Sequence, residues 1–222
     1  ALSLWQQIVN RRRLIHMMKV NGDILIRSVL LQAGFVGFLF FGAELGDVTL
    51  AANQVLLQFV YLASYAMDGF VFAAESLVGQ AMGARAVAQL RRGASVTAVW
   101  AFGTAFALAA GFWIMGPFVI DVMAKDPAVQ QAARLYLPHM VAAPLLGALA
   151  WMLDGVFIGA TRTKDMRNMM ILSFLGYCGL VLLLLPSFGN HGLWMAMNGF
   201  FILRGISLAL RYPALERVAA AP

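Results

Sequence analysis

Long apolar runs dominate this chain, and glycines, prolines and clusters of charged residues separate them. Since about 20 consecutive apolar residues cross a bilayer core as a helix, the runs predict six membrane spans over 22–45, 48–82, 89–120, 128–160, 166–185 and 191–211. The predicted fold class is an all-α membrane protein, a six-transmembrane-helix bundle. We expect a cytoplasmic linker or interfacial segment over 1–20, the transmembrane lobe over 21–211 and a cytoplasmic tail over 212–222.

The composition excludes a soluble domain. Of the 222 residues, 62% are hydrophobic and only 12% are charged, whereas a soluble domain has about 25% charged residues. The net charge of +6 falls between the apolar runs. We therefore interpret the charge as membrane topology and predict no nucleic-acid partner.

The basic residues alternate between the two sides of the predicted bundle. One side carries Arg11, Arg12, Arg13, Lys19, Arg85, Arg91, Arg92, Arg162, Lys164, Arg167, Arg211 and Arg217. The other side carries Lys125, with Arg134 just inside the fourth span. Because cytoplasmic loops accumulate Lys and Arg, both ends of this segment are predicted to be cytoplasmic.

The second span carries a stripe of polar and aromatic residues. Spacings of three and four place them on one helix face, and they are Gln54, Gln58, Tyr61, Tyr65, Asp68, Phe72, Glu75 and Gly79. A charged side chain near mid-bilayer costs about 2.5–3.5 kcal/mol. We therefore expect Asp68 and Glu75 to face the bundle interior or water.

This stripe has the chemistry of a coupled carrier, because a proton and a cationic substrate can compete for one carboxylate and aromatic rings add cation–π contacts. Substrate or cation binding is predicted for Gln58, Tyr61, Tyr65, Asp68, Phe72 and Glu75. A structural alternative is that the two acids satisfy Arg27, Asn53 or a backbone gap on neighbouring helices. Glu75, two turns nearer the predicted cytoplasmic end, also suits an interfacial role.

The fourth span contains prolines and polar groups. Pro138 and Pro144 remove helix hydrogen bonds and are expected to kink it, and Asp154 lies near its inner end. A broken helix beside an acid suits a moving gate, so Asp154 joins the predicted binding residues, although it also suits a cap of the following loop. His139 fits either a proton sensor or a packing residue, and Arg27 on the first span is expected to snorkel to the cytoplasmic surface.

The sequence carries no enzyme or metal signature. It has no GxSxG, HExxH or P-loop motif, its three histidines are scattered, and Cys178 stands alone. We therefore predict a protein that is not an enzyme, with no catalytic residue, no metal and no cofactor.

Four strings, in this order, carry a family resemblance: NGDILIR entering span one, YAMDGFVFAAESLVGQAMGAR at the end of span two, LDGVFIGATRTKDMRN from span four into five, and GNHGLW opening span six. Over about residues 20–211 the chain resembles the C-terminal six-helix half of a multidrug and toxic compound extrusion (MATE) transporter of the DinF-like branch. The resemblance implies one lobe of a two-lobe, twelve-helix fold around a central cavity.

The resemblance also implies a function. It implies a secondary antiporter of a bacterial cytoplasmic membrane that exports amphiphilic or cationic organic compounds by alternating access. The coupling ion it favours is H⁺ over Na⁺, because the first span offers Arg27 where a sodium-coupled branch has an acid. The implied partners are the N-terminal six-helix lobe, the lipid bilayer and small amphiphilic molecules. The implied role of Arg85, Arg162 and Arg167 is to anchor cytoplasmic loops.

Two alternatives remain beside this reading. A lipid or lipid-linked-glycan flippase of related architecture would have similar spans, and it would open laterally to lipid. A non-transporting membrane scaffold half would use the stripe to contact another protein's helix. The substrate itself is not encoded, because wide and tolerant cavities need few specific residues.

Overall fold

The computed structural model describes residues 11–220, except for the side chains of Arg12, Arg13 and His16, and these residues form five α-helices. They are α1 (Arg11–Glu44), α2 (Asp47–Gly83), α3 (Val87–Met123), α4 (Pro127–Gly159) and α5 (Thr163–Ala219). Each contains a stretch long and apolar enough to cross a membrane by length and composition. The all-helical fold class is therefore confirmed.

The described residues contain five helices and not the six predicted. Spans five and six are the two arms of α5, 163–188 and 190–219, which meet at Gly189 with φ 53° and ψ −132°. The arms fold back on one another, since Ser173 Oγ lies 3.3 Å from Ser207 Oγ and a Cβ on Gly192 would lie 2.2 Å from the carbonyl oxygen of Leu184. Glycine adopts positive φ without steric cost, so one residue replaces the expected loop.

Helix α4 is the most buried of the five described helices, and it packs closely against α2. A Cβ on Gly155 would lie 2.3 Å from the carbonyl oxygen of Val71, and one on Gly159 would lie 2.3 Å from that of Glu75. Residue numbers rise by four on both helices between these contacts, so α2 and α4 run parallel. Two glycines one turn apart allow the two backbones to touch, as in membrane helix pairs generally.

The bundle has two ends of different charge. The basic end holds the connections 83–87 and 159–163, the start of α1 and the end of α5. The distal end holds the connections 44–47 and 123–127 together with Gly189. An ion pair between Arg91 and Glu216, 2.7 Å apart, joins α3 to α5 at the basic end. Both described ends of the chain therefore lie at the same end of the bundle.

The helices extend past the limits expected for the transmembrane lobe. Helix α1 begins at Arg11, inside the segment 1–20, and α5 continues to Ala219, inside the segment 212–222. Helix α4 continues through Pro138 and Pro144 to Gly159. The remainder of the expected linker and tail, residues 1–10 and 221–222, lies outside the described residues.

Candidate transport surface and buried charge cluster

The stripe of α2 lies on the face of the helix that points away from the lobe's own core. Gln58, Tyr65, Asp68 and Phe72 are exposed, whereas Tyr61 and Glu75 are half-buried. The opposite face packs into the core through side chains exposed by 1% or less, namely Leu56, Val60, Ala63, Met67 and Ala74. Helical spacing therefore gathers the predicted binding residues of α2 on one surface of the lobe.

The two acids of the stripe have no partner on the described part of the lobe. The ion pairs between described side chains include neither Asp68 nor Glu75. Arg27, considered above as a partner for these acids, binds Asp154, and Asn53 binds Asn190. On this surface the exposed Asp68 carboxylate is therefore available to a cation from outside the lobe.

The aromatic residues of the stripe differ in their exposure. The ring of Tyr61 packs against Phe35 of α1 with a centroid distance of 5.5 Å, which holds it at the edge of the core. Tyr65 and Phe72 are exposed by 69% and 66%, so most of each ring is uncovered. These two rings lie about one turn on either side of Asp68, where they can contact the apolar body of a bound cation.

Glu75 lies nearer the basic end, beside a groove between α2 and the end of α4. The groove has a volume of about 520 Å³ and is lined by Phe72, Glu75, Ser76, Gly79, Gln80, Ile158, Gly159 and Thr161. The two helices are in contact beside this groove because Gly159 has no side chain and its backbone can approach that of Glu75. Glu75 thus lies toward the end of the stripe that is nearer the α4–α5 connection.

Asp154 lies inside the lobe, in a cluster of three charged residues. Its Oδ2 accepts hydrogen bonds from Arg27 Nη2 of α1 and, at 2.7 Å, from Arg204 Nη2 of α5. The side chains of Asp154 and Arg204 are 4% and 1% exposed, and that of Arg27 is 18% exposed. Arg27 therefore binds a buried acid, although it was expected to snorkel to the surface.

This cluster carries one negative and two positive charges in a low-dielectric interior. Burying a charge costs several kcal/mol unless it is paired and hydrogen-bonded. Pairing with Asp154 offsets this cost for both guanidinium groups, and the ring of Phe200 lies 5.7 Å from the guanidinium carbon of Arg204. A further cation at Asp154 would meet two fixed positive charges, so the predicted cation-binding residue acts in this structure as the link between three helices.

Arg204 was missed by reasoning from the sequence alone. The available signal was a single arginine deep in the apolar stretch of the sixth predicted span, with one acid, Asp154, in the fourth. An intramembrane arginine needs an anionic partner, and this principle would have suggested the pair. It would not have shown that Arg27 shares the same carboxylate.

The three residues predicted to anchor loops lie at the basic end. Arg167 Nη1 donates to Asp23 Oδ1 at 2.5 Å, which joins α5 to α1. Arg162 pairs with Asp165 in the first turn of α5 at 2.5 Å. Arg85 is exposed and adopts a left-handed backbone conformation, φ 52°, in the turn between α2 and α3.

The segment GNHGLW closes the distal end. After the reversal at Gly189, Asn190 exchanges two hydrogen bonds with Asn53 of α2, at 2.7 and 2.9 Å. Trp194 Nε1 donates to the same Asn53 oxygen at 2.9 Å. Each buried polar atom in this exchange thus has a partner, and the second arm of α5 is joined to α2.

These features define a multi-pass α-helical membrane protein. Buried ion pairs join its helices inside the lobe, and its candidate binding residues lie on the lobe surface. The chain belongs to the MatE family, whose model matches residues 24–184. The family resemblance drawn from the four strings is therefore confirmed. The proteins of this family are transporters and not enzymes, as predicted.

Individual relatives agree with this assignment. The chain is 40% identical over 206 residues to DNA damage-inducible protein F of Escherichia coli (strain K12). This alignment covers 90% of this chain and 43% of the relative. It is 30% identical over 182 residues to "Probable multidrug resistance protein NorM" of Pseudomonas aeruginosa, covering 76% of this chain and 36% of the relative. The first similarity supports the DinF-like branch.

Solved structures show the same fold. A MATE protein in the bent conformation matches 96% of this chain and 48% of its own length, with a TM-score of 0.84 at 17% identity. The Vibrio cholerae MATE transporter VcmN in its bent form matches 96% of this chain and 49% of its own, with a TM-score of 0.82 at 18% identity. The chain thus spans about half the length of these proteins.

Proposed function

We propose that this chain is one lobe of a secondary antiporter of a bacterial cytoplasmic membrane, which exports amphiphilic or cationic organic compounds in exchange for H⁺ by alternating access. The observation that carries the proposal is the outward stripe of α2, where Asp68 and aromatic rings share one face without partners on the described lobe. The half-length match to MATE proteins supports a second, N-terminal lobe opposite that stripe.

The stripe can select organic cations by charge and shape. Asp68 attracts a positive charge, and Tyr65 and Phe72 offer ring faces that bind cations and apolar groups without strict geometry. A second lobe facing the stripe would exclude water and lower the local dielectric, which strengthens the attraction of the carboxylate for a cation. The same carboxylate can accept a proton, so proton loading and substrate loading exclude each other.

The interior of the lobe disfavours a sodium site at its buried acid. Asp154 is the one acidic side chain fully buried within residues 11–220, and two guanidinium groups already bind it. A sodium ion there would be repelled by both arginines. We therefore place coupling at the surface stripe and assign Asp154 a structural role.

The test is transport by the full-length protein in proteoliposomes, with ethidium as the cationic probe. We expect a pH gradient to drive ethidium movement, a sodium gradient to be ineffective, and Asp68→Asn to slow transport at least about tenfold, the equivalent of about 1.4 kcal/mol. The matched control is Asp47→Asn, another exposed acid on α2 but outside the stripe, which should transport as the wild type does.

Four outcomes would contradict the proposal in different ways. Equal transport by Asp68→Asn and wild type would remove Asp68 from the site. Transport driven by sodium alone would overturn the assignment of the coupling ion. Movement of fluorescent lipid between leaflets without ethidium transport would favour the flippase, and no movement of either probe would favour the scaffold.

A further inference from the structure

Two histidines meet at the distal end of the lobe. His139 lies on α4, His191 opens the second arm of α5, and His139 Nε2 is 3.0 Å from His191 Nδ1. Both side chains are half-buried. The ring of Tyr136, one turn before His139, packs edge-on against His191 with a centroid distance of 4.8 Å. This histidine pair is therefore a polar bridge between α4 and α5, in a segment that the stripe and the charge cluster do not use.

The bridge depends on protonation because of the chemistry of imidazole. A neutral ring has one N–H donor and one acceptor nitrogen, whereas a protonated ring has two donors and no acceptor. The 3.0 Å contact is therefore a hydrogen bond when neither ring or one ring is protonated. When both rings are protonated, no acceptor remains and two positive charges face each other at that distance.

No neighbouring charge compensates this repulsion. Apart from each other, neither imidazole forms an ion pair or a side-chain hydrogen bond with an acidic or basic group among the described residues. The titratable groups at this end are Tyr136 on α4 and Glu44, Asp47, Lys125 and Asp126 in the connections. Arg134 and Asp121 also lie here but are paired with each other. The α2 side chain that hydrogen-bonds to this segment is the neutral Asn53, which binds Asn190.

The histidine pair supplies one of two hydrogen bonds between the distal half of α4 and the second arm of α5. His191 follows the reversal at Gly189 by two residues. About two turns further along the same arm, Asn198 Nδ2 donates to the backbone oxygen of His139 at 3.0 Å. These two hydrogen bonds are the polar contacts between the distal half of α4 and the second arm in the described structure. Loss of the first leaves one polar contact and the apolar packing around it.

We propose that His139 and His191 form a proton-binding site that latches α4 to the second arm of α5. The latch is closed with no proton or one proton added to the pair, and the second added proton opens it. The second proton must bind beside the charge of the first, 3.0 Å away, so opening takes place below the pH of about 6.5 at which a free imidazole becomes charged. The site is separate from Asp68 and does not depend on the function proposed above.

The test is hydrogen–deuterium exchange of the full-length protein from about pH 8 to about pH 5, with rates corrected for intrinsic exchange and EDTA present to remove bound metals. If the open state binds one more proton, the ratio of open to closed molecules rises by up to about tenfold per pH unit below pH 6.5. We expect this rise in peptides covering 190–198, and no such rise in peptides covering 163–173 at the basic end.

Two variants assign the rise to the pair. His139→Gln and His191→Gln each keep a donor and an acceptor but remove one titrating ring, so both should show flat profiles with closed latches at all pH values. A flat wild-type profile would overturn the proposal. So would a wild-type slope that persists in both variants. Because the variants lie on different helices, one misfolded variant leaves the other, and the wild-type profile, as tests.

Discussion

At Asp154 one carboxylate oxygen accepts hydrogen bonds from two guanidinium groups on different helices. Removing one partner from a buried ion pair costs more than the pair itself contributes, because the remaining charge has no water to solvate it. With two arginines for one acid, the cluster is most sensitive at the acid. Asp154 therefore determines whether α1, α4 and α5 remain joined at this level.

The first prediction concerns these side chains. Asp154→Asn should lower the free energy of unfolding by about 3–5 kcal/mol, because both buried guanidinium groups lose their anion. Arg204→Met should cost less, since it leaves the Arg27–Asp154 pair and removes the surplus positive charge. Thermal unfolding of the purified full-length protein in detergent measures both changes.

The control for this prediction is Asp68→Asn, which removes an exposed carboxylate without a partner on the described lobe. It should unfold at the wild-type temperature. If Asp154→Asn were as stable as Asp68→Asn, the buried cluster would not hold the helices together. A larger loss in Arg204→Met than in Asp154→Asn would also contradict the reasoning.

At the scale of the helices, the backbone contact between α2 and α4 positions the stripe of α2. Gly155 and Gly159 face the carbonyl oxygens of Val71 and Glu75, beside the face of α2 that carries the exposed Asp68 and Phe72. A residue with a side chain at either glycine would separate the backbones, because its Cβ would lie 2.3 Å from an oxygen atom. The orientation of the stripe thus depends on two small residues of another helix.

The second prediction tests this contact. Gly159→Ala should destabilise the lobe by about 1–3 kcal/mol through overpacking and should change the groove beside Glu75. Gly103→Ala on α3 is the matched control, since its added Cβ would meet nothing within 4 Å. Unfolding temperature and the yield of folded protein measure the difference. Equal values for the two variants would show that α2 and α4 separate without cost.

Across the whole molecule, most basic residues lie at one end of the bundle, whereas Lys125 and Arg134 lie at the other. The five helices, with α5 reversed at Gly189, run from one end of the lobe to the other six times. An even number of crossings returns the chain to the end at which it started, where Arg85 and Arg162 lie. By the positive-inside rule we predict that this end faces the cytoplasm, as the proposed function requires.

The third prediction tests this orientation with a membrane-impermeant maleimide on intact cells. In the full-length protein with Cys178→Ser, Lys125→Cys should be labelled from outside, whereas Arg85→Cys should be labelled only after the membrane is permeabilised. Both positions lie in turns between helices, so both accept the reagent once it reaches them. Labelling of Arg85→Cys in intact cells, with Lys125→Cys protected, would reverse the orientation.

Properties that belong to one helix could be read from the sequence. The limits predicted for spans two, three and four lie within three residues of α2, α3 and α4, because hydropathy and turn residues act locally. The stripe is on one face because 3.6 residues per turn is a property of any α-helix. The even number of crossings and the separation of basic from distal connections also followed from local patterns of charge.

Properties that belong to two or more helices required the tertiary structure. Hydropathy shows that Asp154, Arg27 and Arg204 are each unfavourable in a membrane, and only the packing of α1, α4 and α5 shows that they share one carboxylate. The direction in which the stripe faces depends on contacts of the opposite side of α2. The reversal at Gly189 lies inside the predicted break between spans five and six, but only the structure shows that a single residue makes it. Local patterns determine which segments are helical and which residues share a face, whereas pairing depends on which helices become neighbours.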